Sequence, residues 1–137
     1  MTSFLRLSLA LCLFFFFACS KPPPHDEALA GKRALEFSEA AFVRRDYAAA
    51  YKLLSDRAKA YQSVEDFRKA VGRWELDVSP TNLKVVASEP LPGEDKALNI
   101  RLVEQNTSKP FAYRVTMERT QTSDYRVTFF RRDRSSQ

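Results

Sequence analysis

The sequence predicts an α+β domain in which two or three N-terminal helices pack on a four-stranded, curved antiparallel meander sheet. Apolar residues recur at about every 3.6 positions before Pro80 and at every second position after it. These are the periods of an amphipathic helix and a half-buried strand. The segments joining the later apolar runs are short and rich in turn formers, which favours pairing of sequential strands. Each element carries its apolar residues on one side, so helices and sheet must cover each other.

From Asp26 to about Arg45, Leu35, Phe37, Ala41 and Phe42 recur at helical spacing among Ala, Glu, Lys and Arg, all good helix formers. Asp46 caps a second segment from Tyr47 to about Leu54, in which Tyr47, Tyr51 and Leu54 share a face. Ser63 followed three residues later by Asp66 is a near capping box, and Val64, Phe67, Val71 and Trp74 behind it form a stripe assigned to the core. In the first strand Leu83, Val85 and Ala87 alternate with polar neighbours; in the second, Leu98, Ile100 and Leu102 do so. Phe111, Tyr113, Val115 and Met117 define the third strand, and Tyr125, Val127 and Phe129 the fourth. One sheet face is thus expected apolar and the other wet. Arg131 to Gln137 reads as a frayed end.

The N-terminus reads as an export address. Met1 to Arg6 carries one positive charge, Leu7 to Phe17 is almost wholly apolar, and Ala18 precedes Cys19 where the apolar run stops. The run is shorter than the roughly 20 apolar residues that cross a bilayer. Phe16-Phe17-Ala18-Cys19 resembles the lipobox of bacterial lipoproteins, with Phe16 where leucine is usual. The resemblance implies cleavage before Cys19 and a diacylglyceryl thioether on its sulfur, with a third acyl chain in many bacteria. Two or three acyl chains anchor durably where one binds only marginally. An ordinary secretory leader with Cys19 incidental is the alternative.

The expected layout is a lipoprotein signal peptide over 1–18, the lipidated cysteine and a proline-rich spacer over 19–25, and a single cone-like domain over 26–137. The protein would face the periplasm from a membrane of the cell envelope. Under enteric-type sorting, Ser20 in place of Asp favours the outer membrane.

Composition excludes several chemistries. Cys12 leaves with the leader, so a lipidated Cys19 leaves no thiol for a disulfide, a metal or catalysis. His25, the one histidine, falls in the proline spacer and reads as a solvated linker residue. No carboxylate cluster suggests a metal site and no cofactor motif is present; the three glycines form neither a phosphate loop nor a nucleophile elbow. The net charge of +5 falls to +4 without Arg6, with 21 basic against 17 acidic side chains. Such a balance suits lipid headgroups or an acidic envelope surface, whereas an exported protein rarely meets nucleic acid. The charges are nonetheless interspersed, as on any solvated surface.

The segment Asp46-Tyr47-Ala48-Ala49-Ala50-Tyr51-Lys52-Leu53-Leu54-Ser55 resembles the Asp-Tyr-x-x-Ala-Tyr-x-Leu-Leu-Ser stretch often seen in the first helices of the nuclear transport factor 2-like (cystatin-like cone) superfamily. The order of elements over 28–132 agrees with it. The resemblance implies a sheet wrapped into a cone whose mouth holds a small molecule, an active site or a partner. Tyr51, Trp74, Asp77, Tyr113 and Tyr125 are the residues that would line such a pocket; core packing accounts for the aromatic ones equally well. No residue is assigned as catalytic. The expected function is that of a noncatalytic, lipid-anchored envelope protein binding a small apolar ligand or an envelope protein. The alternatives are a small isomerase or hydrolase using Asp77 or a cone-lining tyrosine, and a basic peripheral protein binding anionic lipid.

Overall fold

The computed structural model describes residues 22–73, 79–105 and 111–133. Residues 1–21, Cys19 among them, and Trp74 and Asp77 lie outside the described residues. The chain forms α1 (Glu27–Ser38), a π-helical turn (Glu39–Val43), α2 (Tyr47–Lys52), α3 (Asp56–Tyr61) and α4 (Val64–Gly72). Then come β1 (Leu83–Pro90), β2 (Ala97–Glu104), β3 (Ala112–Arg119) and β4 (Tyr125–Asp133), paired antiparallel in the order β1-β2-β3-β4.

Each α-helix starts behind a side chain that satisfies one of its free N–H groups. Asp26 accepts from Leu29, Asp46 from Ala49, Ser55 from Ala58 and Ser63 from Asp66. At Ser63 the box is complete, because the Asp66 carboxylate also accepts from the Ser63 backbone N–H. Helix α3 was not expected from periodicity, since six residues are too few to show it. The first helix ends in a wide turn in which Arg44 N–H donates to Glu39 O, and Arg45 takes φ 57° to leave it. Residues five apart on a regular α-helix point about 140° away from each other. The extra residue in the turn lets both Phe37 and Phe42 face the sheet, with ring centroids 5.9 Å apart and edge to face.

The core fills the space between the helices and the concave sheet face. Phe37, Phe67, Val71, Leu98, Ile100, Leu102, Val115 and Val127 are fully buried. Four phenylalanines form its centre: Phe37, Phe42 and Phe67 each lie within 6.2 Å of Phe130, centroid to centroid. Leu53 to Ser55 lies along β4, where Val127 N–H donates to Leu53 O and Ser55 N–H to Val127 O, which satisfies part of that strand's outer edge.

Both edge strands carry a bulge, and each bulge overturns the strict alternation expected from the sequence. In β1 the register slips at Val86, so Ser88 rather than Ala87 pairs with the inward Ile100. In β4 it slips at Thr128, so Phe130 pairs with the inward Val115 while Phe129 turns outward and is 56% exposed. One unopposed residue swaps every later side chain to the other face and bends the strand, which curls the sheet around the helices. Val64 leaves the expected stripe of α4 for a second reason. It is the first residue of the helix, beyond the reach of the core, and is 46% exposed.

Helix α1 is tied to the β3–β4 turn by Arg33, whose Nε and Nη2 donate to the two oxygens of Asp124 at 2.8 and 3.4 Å. This guanidinium holds the Asp124 carboxyl below the ordinary carboxylate range. A depressed acid contributes stability above its unfolded pKa and loses it as pH falls through the folded value. Asp124→Asn is therefore expected to cost about 1 kcal/mol in urea unfolding at pH 7, the usual ceiling for a partly exposed pair. The difference from the parent should shrink below about pH 4, where the unfolded carboxyl is protonated.

Candidate functional site

The concave face ends in polar residues. Glu104 continues the inward row of Leu98, Ile100 and Leu102, is only 6% exposed, and accepts from Thr81 N–H at 3.3 Å. Tyr113, opposite Leu102, is buried and stacked on Phe42 at 4.8 Å. Arg132, paired with Tyr113, lies over the Phe111 ring at 4.5 Å. Burial pushes the Tyr113 hydroxyl up to about 12, opposed by the Arg132 charge and aided by that of Glu104.

The tyrosines singled out in the sequence do not converge. Tyr125 lies at the other end of the sheet, paired with Arg119, roughly 20 Å along the strands from Tyr113 at 3.3 Å per residue. Its hydroxyl accepts from Asp26 N–H at 3.0 Å and meets His25 Nδ1 at 3.1 Å. His25 is thus half-buried against the domain, and the solvated linker expected from its proline neighbours is corrected. Tyr51 donates to Gln62 O at 2.8 Å and packs on Phe67, closing the α2–α3–α4 corner. Trp74 and Asp77 lie outside the described residues.

A cleft of about 780 Å³ opens beside the Tyr125 end. Six cationic side chains line it: Lys52, Arg57, Lys59, Lys96, Arg119 and Arg126. They face two carboxylates, Asp56 and Glu118. The cations come from α2 and α3, the β1–β2 turn and both strands of the β3–β4 hairpin. Such a gathering leaves no local pattern, which is why the interspersed charges of the sequence concealed it. Glu104 was within reach of sequence reasoning, since it falls on the even-numbered inward row of β2.

No family model matches the chain, and no curated protein does. Among solved structures, a ketosteroid isomerase-like protein from Erwinia carotovora atroseptica superposes with a TM-score of 0.59 at 12% identity, covering 82% of this chain and 98% of that one. The chain has the NTF-2-like fold. An NTF-2 like protein of unknown function from Burkholderia xenovorans, also 12% identical, covers 81% of this chain and 88% of its own at a TM-score of 0.47. The cone expected from the Asp46–Ser55 segment is thus present, with an interior occupied by its own aromatic side chains. Chemistry available to this cone lies at the Glu104–Tyr113–Arg132 end of its concave face and in the basic cleft at the opposite end of the sheet.

Proposed function

We propose that this protein is a noncatalytic accessory protein of the cell envelope, exported, lipidated on Cys19, and holding an acidic envelope partner in its basic cleft. The convergence of six cations against two carboxylates on one cleft carries the reading. Concentrated charge of one sign raises the local concentration of an opposite partner and speeds its capture. The small apolar ligand has less support, because the side chains between helices and sheet are packed to near-zero exposure and a ligand would have to displace them.

Binding of poly-glutamate to the full chain tests the cleft. At low salt the Arg119→Glu/Arg126→Glu double variant is expected to bind at least tenfold more weakly, and equal binding would remove the reading. The anchor has its own test. Radioactive palmitate should label the parent and not Cys19→Ala.

A second reading, an isomerase or hydrolase of the cone fold, rests on the buried carboxylate of Glu104 in the same inward corner as Tyr113 and Arg132. It requires turnover of a small carbonyl substrate that Glu104→Gln abolishes, and turnover unchanged in that variant sinks it.

A further inference from the structure

We infer that the partner of the basic cleft is the membrane itself: the anchored domain lies with this cleft against the bilayer and takes the phosphate headgroups of anionic lipids there. The inference rests on the cleft being the binding site, as proposed above.

Position is the first argument. Arg119, a residue of the cleft wall, donates through Nη1 to Pro23 O at 2.9 Å and to Pro24 O at 3.1 Å. Cys19 is four residues before Pro23, and four residues span at most about 14 Å when fully extended. An acyl anchor at Cys19 therefore holds the Arg119 wall of the cleft on a tether short enough to bring it within a Debye length, about 8 Å at physiological salt, of the headgroups. His25 and Asp26 are clamped on the Tyr125 hydroxyl, so the tether leaves from the cleft side of the domain rather than from a swinging linker.

The chemistry of the lining is the second. Among the described residues neither Arg57 nor Lys96 forms an ion pair, which leaves their charge for a ligand. Arginine forks fit phosphate in two-point contacts, and lysines add compact charge on long stems. The cores of protein interfaces are enriched in aromatic residues and depleted of charge. This lining is the reverse, with no aromatic side chain and Leu54 its one large apolar residue.

An exposed aromatic beside the cleft is the third. Tyr61, 86% exposed, ends α3 four residues after Arg57 and so lies on the same side of that helix. Tyrosine, apolar in its ring and polar at its tip, settles at the headgroup level of bilayers.

The test uses the full chain, lipidated in cells and reconstituted into phosphatidylcholine vesicles with or without phosphatidylglycerol. Ala60→Cys, at the exposed neighbour of Tyr61 on α3, supplies a fluorophore site, and lipids bearing a headgroup nitroxide supply the quencher. Quenching is expected to be several-fold stronger in the anionic vesicles. It should fall to the neutral-vesicle value at high salt and in the Arg57→Glu/Arg126→Glu variant, whose near-ultraviolet circular dichroism should match the parent's. Equal quenching in both vesicle types, or no effect of charge reversal, would overturn the inference. So would release of the quench by millimolar inorganic phosphate, which would show a discrete anion site, or a chain that carries no lipid and stays off the vesicles. Poly-glutamate binding without vesicle docking would sink this inference and leave the acidic-partner reading standing. Loss of both would remove both.

Discussion

Replacing Phe37 by Ala is expected to lower the unfolding free energy by about 3–5 kcal/mol, the usual cost of emptying a fully buried aromatic site. Phe37 has no exposed surface and touches Phe42, Phe67 and Phe130, so the void opens at the centre of the ring cluster and no single neighbour can fill it. A domain of this size has a total stability of about 5–15 kcal/mol, so the variant should sit near its unfolding midpoint in mild urea. The adjacent pair in β4 sharpens the experiment. Phe130→Ala should cost about 3 kcal/mol because its ring lies 5.3 Å from Phe37 and 5.6 Å from Phe67. Phe129→Ala, on the exposed side of the bulge, should stay within about 0.5 kcal/mol of the parent. The reverse order would mean that Phe129, not Phe130, completes the core.

High pH should expose the buried phenol. In a spectrophotometric titration near 295 nm, one tyrosine is expected to ionise at about 12, two units above the ordinary phenol at about 10. An acid whose folded pKa is raised holds its proton more tightly in the native state. Its contribution is complete below the unfolded value and is lost as pH climbs through the folded one. Urea unfolding should therefore show roughly 2–3 kcal/mol of stability disappearing between pH 10 and 12, at about 1.4 kcal/mol per unit. Tyr113→Phe should flatten the curve in that window and erase the late titration step. Survival of both in the variant would place the perturbed phenol elsewhere.

The agreement between sequence and structure follows the range of the interactions involved. Asp46 and Ser63 announce α2 and α4 because a cap is a contact between residues three apart, complete within the segment that carries it. The meander was legible because short turns leave sequential strands few other partners. The Asp46–Ser55 segment pointed to the cone by likeness alone, and its leucines now run beside β4 through the Leu54–Val127 bridge. What alternation misassigned lies just beyond the two bulges, at Ala87 and Phe129. The site was less legible than the fold. Tyr113 and Tyr125 are both buried as aromatic core residues, yet they stand at opposite ends of the sheet, and no spacing in the sequence carries that separation.

By itself the sequence determined the elements other than α3 and the π-helical turn, their order, the caps at Asp46 and Ser63, and the apolar side of β2 and β3, because each depends on periodicities and hydrogen bonds a few residues long. Only the tertiary structure decided which phenylalanine of the pair 129 and 130 completes the core, and that six scattered cations share one cleft beside the spacer. Both depend on the sheet curling round its helices, a free energy summed over contacts between residues distant in the chain, to which no local pattern of letters responds.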